Sequence, residues 1–293
     1  MHKYLRAIGF SQLQSQKELK ILLQEIVINA DQRQYTALEN DVMFAEFSKQ
    51  YAQNIGIAIR GEFDEEEFNY EYYFPFFRGD EISSQEDVSV ERQSEKESYA
   101  GICDDIKVGV SLIFYLQNIV DYIKVKISNQ LPVKGTTLTL TGLSCQGIIM
   151  MPIVKNEREK QKIKKVSNNR NNLIEAARKG DEDAIENLTL EDMDTYTVIS
   201  RKIQKEDVFS LVDTYFMPYG VECDLYSILG EINDCKKVVN QYTNEEVYEM
   251  KINCNEIILQ VAINKVDLFG EPMTGRRFKG VVWLQGYINF PDK

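Results

Sequence analysis

The residues with the clearest chemical potential lie near the end of the printed sequence, in residues 269–290, FGEPMTGRRFKGVVWLQGYINF. Arg276, Arg277 and Lys279 place three positive side chains among glycines, and the only tryptophan, Trp283, follows them. Guanidinium and ammonium groups bind carboxylates and phosphates, and an aromatic ring beside them can stack on a base. These four residues are therefore the candidate ligand-binding residues, for an anion or for a nucleic acid.

The same stretch does not fit the phosphate-binding loop of nucleotide-binding proteins. GEPMTGR has the two-glycine spacing, but Arg276 stands where a lysine is needed, and a strand-like run follows instead of a helix. A structural interpretation is favoured. In it, Phe278 and Trp283 lie on the inward face of a strand, and the cations point outward or pair with Glu231 or Glu271.

Carboxylates that could serve a hydrolase or hold a metal ion are present but scattered. Asp207, Asp213, Glu222 and Asp224 surround an apolar turn. Two-metal and glycosidase chemistry needs acids that converge in one cleft from different elements, and this spacing matches no known metal signature. A carboxylate-based hydrolase is the third-ranked function, and we assign no catalytic residue and no metal ligand.

The only histidine is His2, and the five cysteines form no CxxC pair. Nucleophilic catalysis by a histidine pair or triad needs an imidazole held in the interior, where a second residue is seldom placed. The odd number and wide spacing of the cysteines argue against a disulfide framework or a zinc ribbon and favour free thiols in a reducing compartment. We predict no cofactor and favour a protein that is not an enzyme.

Charge and hydropathy limit the partners. A formal net charge of −12 repels nucleic acids and anionic membranes at long range, so nucleic acid is an unfavoured partner and a protein partner is left open. No apolar run has the length of a membrane-spanning helix, and the N-terminus lacks the apolar core of a signal peptide. These features predict a cytoplasmic location without a membrane.

Residues 1–154 predict a domain of helices and antiparallel strands. Apolar residues between Leu19 and Ile26 recur at helical spacing, and Ser15 with Glu18 fits a capping box. The runs NIGIAIRGEF and FNYEYYFPFF alternate as in a β-hairpin, and TTLTLTGL and QGIIMMPIV are β-rich runs between glycine turns.

A basic, polar stretch at residues 155–172 is the predicted linker. It could resemble a nucleic-acid tail, but no aromatic residues interleave with its charges, so a solvated linker is favoured. Residues 173–222 follow as a helical connector. Gly180 and Asp181 separate two of its helices, and EDVFSLVDTYF predicts a further short helix.

Residues 223–293 predict a small antiparallel β-barrel whose topology could be OB-like. The strand runs VYEMKINC and IILQVAIN are separated only by Asn255 and Glu256, and asparagine accepts the left-handed backbone of a tight turn. Cys223 and Cys254 are expected to face each other inside the barrel. The predicted fold class is α+β: an N-terminal mixed α/antiparallel-β domain, a helical connector and the C-terminal barrel. Limited proteolysis should then separate two stable fragments.

Several phrases of the chain resemble a clostridial family known only as domain of unknown function 3881. They are MHKYLRAIGFS, SLIFYLQN, GDEDAIENLTLEDMDTYTVISRKIQKEDVFSLVDTYFMPYGVECD and GEPMTGRRFKGVVWLQGYINF. The resemblance spans nearly the whole chain and implies the cytoplasm of a Gram-positive anaerobe and a single unit instead of a fusion. It implies no activity, cofactor or catalytic residue.

Taken together, these features favour a non-enzymatic binding or scaffolding protein. The alternative is an anion- or nucleic-acid-binding module that acts through the C-terminal barrel.

Overall fold

The computed structural model describes residues 1–37, 43–64, 67–93, 98–105, 107–153, 157–203 and 212–291. Within these ranges the chain is a mixed α/β protein with many strands and few helices, which confirms the α+β class. The helices are α1 (Gln16–Ile28), α2 (Ile119–Ile127), α3 (Glu157–Arg178), α4 (Glu182–Ile203) and two short 3-10 helices, Lys3–Ile8 and Lys265–Asp267. Among the helices described, none is long and apolar enough to cross a membrane.

The first helix begins where the sequence predicts it. The side chain of Ser15 accepts a hydrogen bond from the backbone N–H of Lys17, which satisfies one of the free donors at a helix start. Leu19, Leu22 and Ile26 lie on its buried face. They pack with the N-terminal 3-10 helix and the neighbouring sheet in one hydrophobic core.

A four-stranded antiparallel sheet follows the first helix, in the order β1-β2-β3-β4. Its strands are β1 (Gln32–Ala37), β2 (Met43–Ala52), β3 (Ile55–Asp64) and β4 (Glu67–Phe77). The predicted aromatic hairpin is β3 with β4, whose register runs from Ile55 opposite Phe77 to Asp64 opposite Glu67. The side chains of β3 are buried along most of its length, and its apolar residues belong to the core shared with α1, the 3-10 helix and Trp283 of the second sheet.

The second sheet contains ten strands in the part of the chain described. They are β5 (Val88–Gln93), β6 (Ser98–Cys103), β7 (Leu112–Leu116), β8 (Thr137–Met150), β9 (Tyr215–Pro218), β10 (Leu225–Val239), β11 (Glu246–Cys254), β12 (Ile257–Asn264), β13 (Leu268–Phe269) and β14 (Arg277–Asn289). The order is β13-β8-β12-β11-β10-β14-β7-β6-β5, and β9 pairs with β10.

Strand β8 joins the two ends of the C-terminal meander. Its residues 141–144 pair in parallel with residues 260–263 of β12 on one edge and antiparallel with residues 282–285 of β14 on the other. The pairings β8–β12–β11–β10–β14–β8 therefore form a ring of five strands. The antiparallel pairing predicted for the C-terminal strands does not extend to β8, which runs parallel to β12. Parallel neighbours need a long crossover, and here the chain from β8 to β12, which includes α3, α4 and β9 to β11, supplies it.

Two hydrophobic cores lie on opposite faces of the ring strands. Phe278, Val282 and Leu284 of β14 belong to the core whose members come from all five ring strands. Trp283 points to the other face and belongs to the core shared with the N-terminal 3-10 helix, α1 and β3. The prediction that Phe278 and Trp283 share one inward face of the strand is wrong, because they belong to cores on opposite faces of the ring. Trp283 is buried because a second layer covers the outside of the ring.

The basic stretch predicted as a linker is helical from residue 157 onward. Helices α3 and α4 form a hairpin that turns at Gly180, whose φ is +89°. Arg170 of α3 contacts Asp192 at 2.7 Å and Glu191 at 3.6 Å on α4. The basic helix therefore packs beside an acidic one, which explains the charge pattern without a nucleic acid. The further predicted helix lies largely outside the described residues, and its end, Tyr215 and Phe216, is in strand β9.

The domain boundary at residues 155–172 stays a prediction. The five-strand ring adds an expectation about the fragments that limited proteolysis at this boundary yields. We expect trypsin to cut the native protein within residues 155–172, because Lys165 and Val166 are exposed. The two fragments should appear on a denaturing gel and yet elute together under native conditions. The reason is that β8 pairs with β14 from Met150 opposite Arg277 to Thr137 opposite Asn289. Fragments that elute separately would contradict the shared ring, and cuts confined to the termini would contradict the linker.

Candidate functional site

A cleft of about 590 Å³ opens beside the two adjacent arginines. It lies between the end of β8, the start of β9, the middle of β10 and the loop before β14. We call it the arginine cleft. Its lining residues are Met151, Pro152, Ile153, Asp213, Thr214, Glu231, Met273, Thr274, Gly275, Arg276 and Arg277. Its volume is within the range of small-molecule sites.

The loop before β14 is held against β10 by backbone hydrogen bonds. Gly270 and Gly275 have φ values of +92° and +84°, which a residue with a side chain rarely adopts. The N–H of Gly275 donates to the carbonyl oxygen of Ile232 at 2.8 Å, and the N–H of Ile232 donates to the carbonyl oxygen of Arg276 at 2.8 Å. The loop therefore presents the Arg276 side chain from a fixed backbone.

The two arginines have different roles. Arg276 is partly exposed, and its Nη1 donates to the carbonyl oxygen of Glu271 at 2.7 Å. Arg277 is buried, and it donates through Nε to the carbonyl oxygen of Met151 at 3.1 Å and through Nη1 to that of Val212 at 2.9 Å. Arg277 thus ties β14 to the end of β8 and to the segment before β9, whereas Arg276 lines the cleft with a partly exposed side chain.

The lining of the cleft combines both signs of charge with apolar surface. The acids Asp213 and Glu231 line it together with the arginines. Met151 is 70% exposed and Met273 is 50% exposed, so methionine side chains form part of the lip. Methionine adapts its shape to different apolar partners. The cleft can therefore hold a molecule that carries an anionic group on an apolar frame.

The structure separates the other two predicted site residues from the cleft. Lys279 is two residues further along β14, half-buried, and is not among the residues that line the cleft. Trp283 is 5% exposed, and its Nε1 donates to Asp224 Oδ2 at 2.7 Å. Because Trp283 is buried in the core on the outer face of the ring, its role is structural.

An aromatic cluster surrounds Trp283, and it includes the only histidine. The Trp283 ring stacks on Tyr4 at 5.4 Å and contacts Tyr115 at 5.2 Å and His2 at 4.8 Å. His2 Nε2 lies 3.1 Å from the hydroxyl of Tyr72. The expectation that the side chain of the second residue is not held in a fixed position is wrong for His2. The N-terminal 3-10 helix packs against β4 and β14 and holds His2 in the aromatic cluster.

Of the four acids that suggested a hydrolase, the three that the structure describes have different surroundings. Asp207 lies outside the described residues. Asp213 lines the arginine cleft, Asp224 accepts the hydrogen bond from Trp283, and Glu222 is exposed. Among the described residues, no group of three or more His, Cys, Asp or Glu is placed to hold a metal ion.

The cysteines are free thiols, but one predicted pair is wrong. Cys254 is buried, and its thiol donates to the carbonyl oxygen of Leu229 at 3.3 Å, while Cys223 is exposed. The two do not face each other. Burial raises the pKa of Cys254 to about 12, which disfavours the thiolate, the nucleophilic form of cysteine.

Sequence reasoning found Arg276 and Arg277 but missed most of the cleft. The sequence already offered Glu231 as a partner for the cations, but Met151 follows a strand that is distant along the chain, so no local pattern marks it as a neighbour of the arginines. The only local signal was the pair of glycines that bracket the loop before β14.

Comparisons with known proteins identify a family without an assigned activity. A family model described as "Domain of unknown function, E. rectale Gene description" (DUF3881) matches residues 5–286. The match covers nearly all of the chain and confirms the resemblance seen in the sequence. No curated protein matches the chain, and no solved structure matches it.

Proposed function

The chain belongs to the family of domain of unknown function DUF3881, and from that premise we propose a non-enzymatic binding protein that takes a small organic anion in the arginine cleft. The observation that carries this proposal is Arg276, partly exposed on the wall of a 590 Å³ cleft. Among the described residues its guanidinium forms no salt bridge, and its Nη1 donates to the neutral carbonyl oxygen of Glu271. Such a group forms strong, directional hydrogen bonds to carboxylate or phosphate.

The other residues that line the cleft restrict the chemical class of the ligand. Met151 and Met273 favour an apolar portion next to the anionic group. Asp213 and Glu231 add negative charge, so a ligand with a single negative charge fits better than one with several. A monocarboxylate with an aliphatic chain has both features.

Described as a barrel, the five-strand ring has a strand order that favours a small ligand over a nucleic acid as the binding partner. Taken from β10, the ring order is β10-β11-β12-β8-β14, with β8 and β12 as its parallel pair. This is the strand order of an OB barrel whose last strand has been moved to the front of the chain. OB barrels bind oligonucleotides on the face of their second and third strands and on the adjoining loops. Here that face belongs to β11 and β12, whereas the cleft lies at β8, β10 and β14.

A scaffolding role is the second candidate, and an exposed apolar pair favours it. Phe269 is 79% exposed and lies opposite Ile148, itself 42% exposed, where β13 pairs with β8. A scaffold draws on exposed apolar surface for its contacts with other proteins. A scaffold that used this surface would not need a free anion in the cleft.

The five free thiols support a reducing, cytoplasmic location for either function.

Hexanoate tests the proposal, because it joins one carboxylate to an aliphatic chain. We expect hexanoate to raise the melting temperature of the full chain and to bind by calorimetry. Arg276→Ala should weaken this binding by about tenfold or more, since a hydrogen bond to a charged group contributes about 1.5–3 kcal/mol. An oligothymidylate should show no binding at about 0.15 M salt, because the chain is acidic.

Lys279→Ala is the matched control, since it removes a cation on the same strand that does not line the cleft. It should leave hexanoate binding unchanged. Equal weakening by both variants would show a diffuse charge effect instead of a site. If no anion binds, the cleft proposal is wrong and the scaffolding role becomes the better one. Salt-dependent binding of oligothymidylate that Arg276→Ala abolishes would make the protein a nucleic-acid binder.

A further inference from the structure

Glu231 is an acid on the wall of the arginine cleft that a simple anionic ligand does not use. It lies on β10, its side chain is exposed, and it is among the residues that line the cleft. Within the described part of the chain, its carboxylate forms no hydrogen bond and no ion pair. A carboxylate is an acceptor for the N–H groups of a cation. Glu231 is therefore available to a donor group on a ligand in the cleft.

The strand register places Glu231 beside the arginines. Glu231 lies directly opposite Arg277 where β10 pairs with β14. Side chains at opposite positions of an antiparallel pair are on the same face, with Cβ atoms about 5 Å apart. The next residue of β10, Ile232, donates its N–H to the carbonyl oxygen of Arg276 at 2.8 Å. The Glu231 carboxylate and the Arg276 guanidinium therefore start from neighbouring backbone positions on one wall of the cleft.

The formal charges of the four ionisable residues in the lining cancel. Arg276 and Arg277 contribute two positive charges, and Asp213 and Glu231 contribute two negative charges. A ligand with only a negative charge is attracted by Arg276 and repelled by Glu231, whereas a ligand with both charges is attracted by each of them. A lining that is neutral and carries both signs favours a zwitterion over an anion of the same size.

The apolar part of the lining adjoins these charges. The N–H of Arg276 donates to the carbonyl oxygen of Met273 at 3.0 Å, so this methionine belongs to the same loop as the guanidinium. Met151 follows the end of β8, where Met150 lies opposite Arg277. Because the two charged groups of the cleft are neighbours, the two charged groups of the ligand must be neighbours as well. The rest of the ligand is then left to the methionines.

We propose that the arginine cleft recognises an α-amino acid with a long apolar side chain, and that Glu231 determines this specificity. The carboxylate of the ligand accepts hydrogen bonds from Arg276, and its ammonium group donates to Glu231. Its side chain packs on Met151 and Met273. This inference rests on the proposed function, because it uses the same cleft and the same guanidinium. It adds the second charge of the ligand and the residue that recognises it.

Three acids with six-carbon chains test this inference by calorimetry on the full chain. Hexanoate has no ammonium group, L-norleucine has one on the carbon next to the carboxylate, and 6-aminohexanoate has one at the far end of the chain. We expect norleucine to bind about fivefold more tightly than hexanoate, the upper range for an ion pair at an exposed side chain. 6-Aminohexanoate should bind more weakly than hexanoate, because its charged end meets the methionines.

The results with the three acids separate this inference from the proposed function. Hexanoate binding that norleucine does not exceed would overturn the role of Glu231 and leave the proposed function standing. Equal binding of norleucine and 6-aminohexanoate would overturn the assignment of an α-amino acid. Absence of binding by all three acids would overturn both proposals.

Glu231→Gln isolates the contact with the ammonium group. It should weaken norleucine binding by about fivefold and remove the advantage of norleucine over hexanoate. Arg276→Ala should weaken the binding of both ligands, since both carry the carboxylate. Glu222→Gln is the matched control, because Glu222 is exposed and does not line the cleft; it should leave the affinity for norleucine unchanged. A preference for norleucine that persists in Glu231→Gln would overturn the assignment of Glu231.

Discussion

Replacing Arg60 by methionine is expected to lower the free energy of unfolding by about 3–5 kcal/mol. Arg60 is fully buried at the contact between the two sheets, and its Nε donates to Glu46 Oε2 at 2.6 Å. Its Nη1 donates to the Tyr115 hydroxyl at 2.7 Å, and its Nη2 donates to the carbonyl oxygen of Gln117 at 2.5 Å. The guanidinium also lies 4.4 Å from the centre of the Phe74 ring.

The cost is large because the substitution leaves groups buried without their partner. Burial by itself lowers the pKa of Arg60, and the neighbouring Tyr115 and Glu46 outweigh this and raise it. The arginine is therefore charged, and methionine leaves the Glu46 carboxylate uncompensated in the interior. Removing one member of a buried pair costs far more than removing both, because the lone charge keeps its full desolvation penalty.

Urea unfolding of three variants measures this effect. Arg60→Met should show the full loss, and Arg60→Met combined with Glu46→Leu should recover part of it, since the uncompensated charge is gone. Arg33→Met is the control, because Arg33 is an exposed arginine on β1; its effect should stay within about 0.5 kcal/mol. A loss of less than about 1 kcal/mol for Arg60→Met would contradict the role of Arg60 as the buried link between the sheets.

Replacing Trp283 by alanine is expected to cost about 3–5 kcal/mol, the range for truncating a buried aromatic side chain. Trp283 is 5% exposed and packs on Tyr4, Tyr115 and His2. Alanine removes these ring contacts and the donation from Nε1 to Asp224 Oδ2. Because Trp283 joins β14 to the N-terminal 3-10 helix, the substitution should also loosen the first residues of the chain.

The fluorescence of the wild-type protein offers a separate check, since Trp283 is the only tryptophan. Its emission should be at short wavelength and poorly quenched by acrylamide. Trp283→Phe keeps a ring in the core and should lose less stability than Trp283→Ala. Strongly red-shifted, readily quenched emission would mean that Trp283 is a surface residue and would return it to the candidate binding site.

Features that depend on a few neighbouring residues were predictable from the sequence. Ser15 caps α1 as expected, because the cap is a contact between residues close in the chain. Asn255 and Glu256 form the tight turn between β11 and β12 with φ values of +52° and +65°. The free state of the cysteines and the family membership were also predictable, since they depend on composition and on recognisable phrases.

The fate of the basic stretch at residues 155–172 shows the limit of this reasoning. Its charge and low hydropathy indicated an exposed segment, which agrees with exposed Lys165 and Val166. Its helical state follows from packing beside the acidic α4, through contacts such as Arg170 with Asp192. A charge pattern shows that a segment needs a counter-charge, but not where in the chain that counter-charge lies.

By itself the sequence determined the α+β class, the cap of α1, the tight turn between β11 and β12 and the net acidic charge, and it singled out Arg276 and Arg277 as candidates. Only the tertiary structure decided that β8 closes the ring between β12 and β14, that Trp283 is buried on the outer face, and that Arg60 is enclosed between the sheets. The physical reason is the range of the interactions. Capping, turn geometry and alternation are set by adjacent residues, whereas ring closure and burial depend on which distant strands pair, a choice made by the packing of the whole chain.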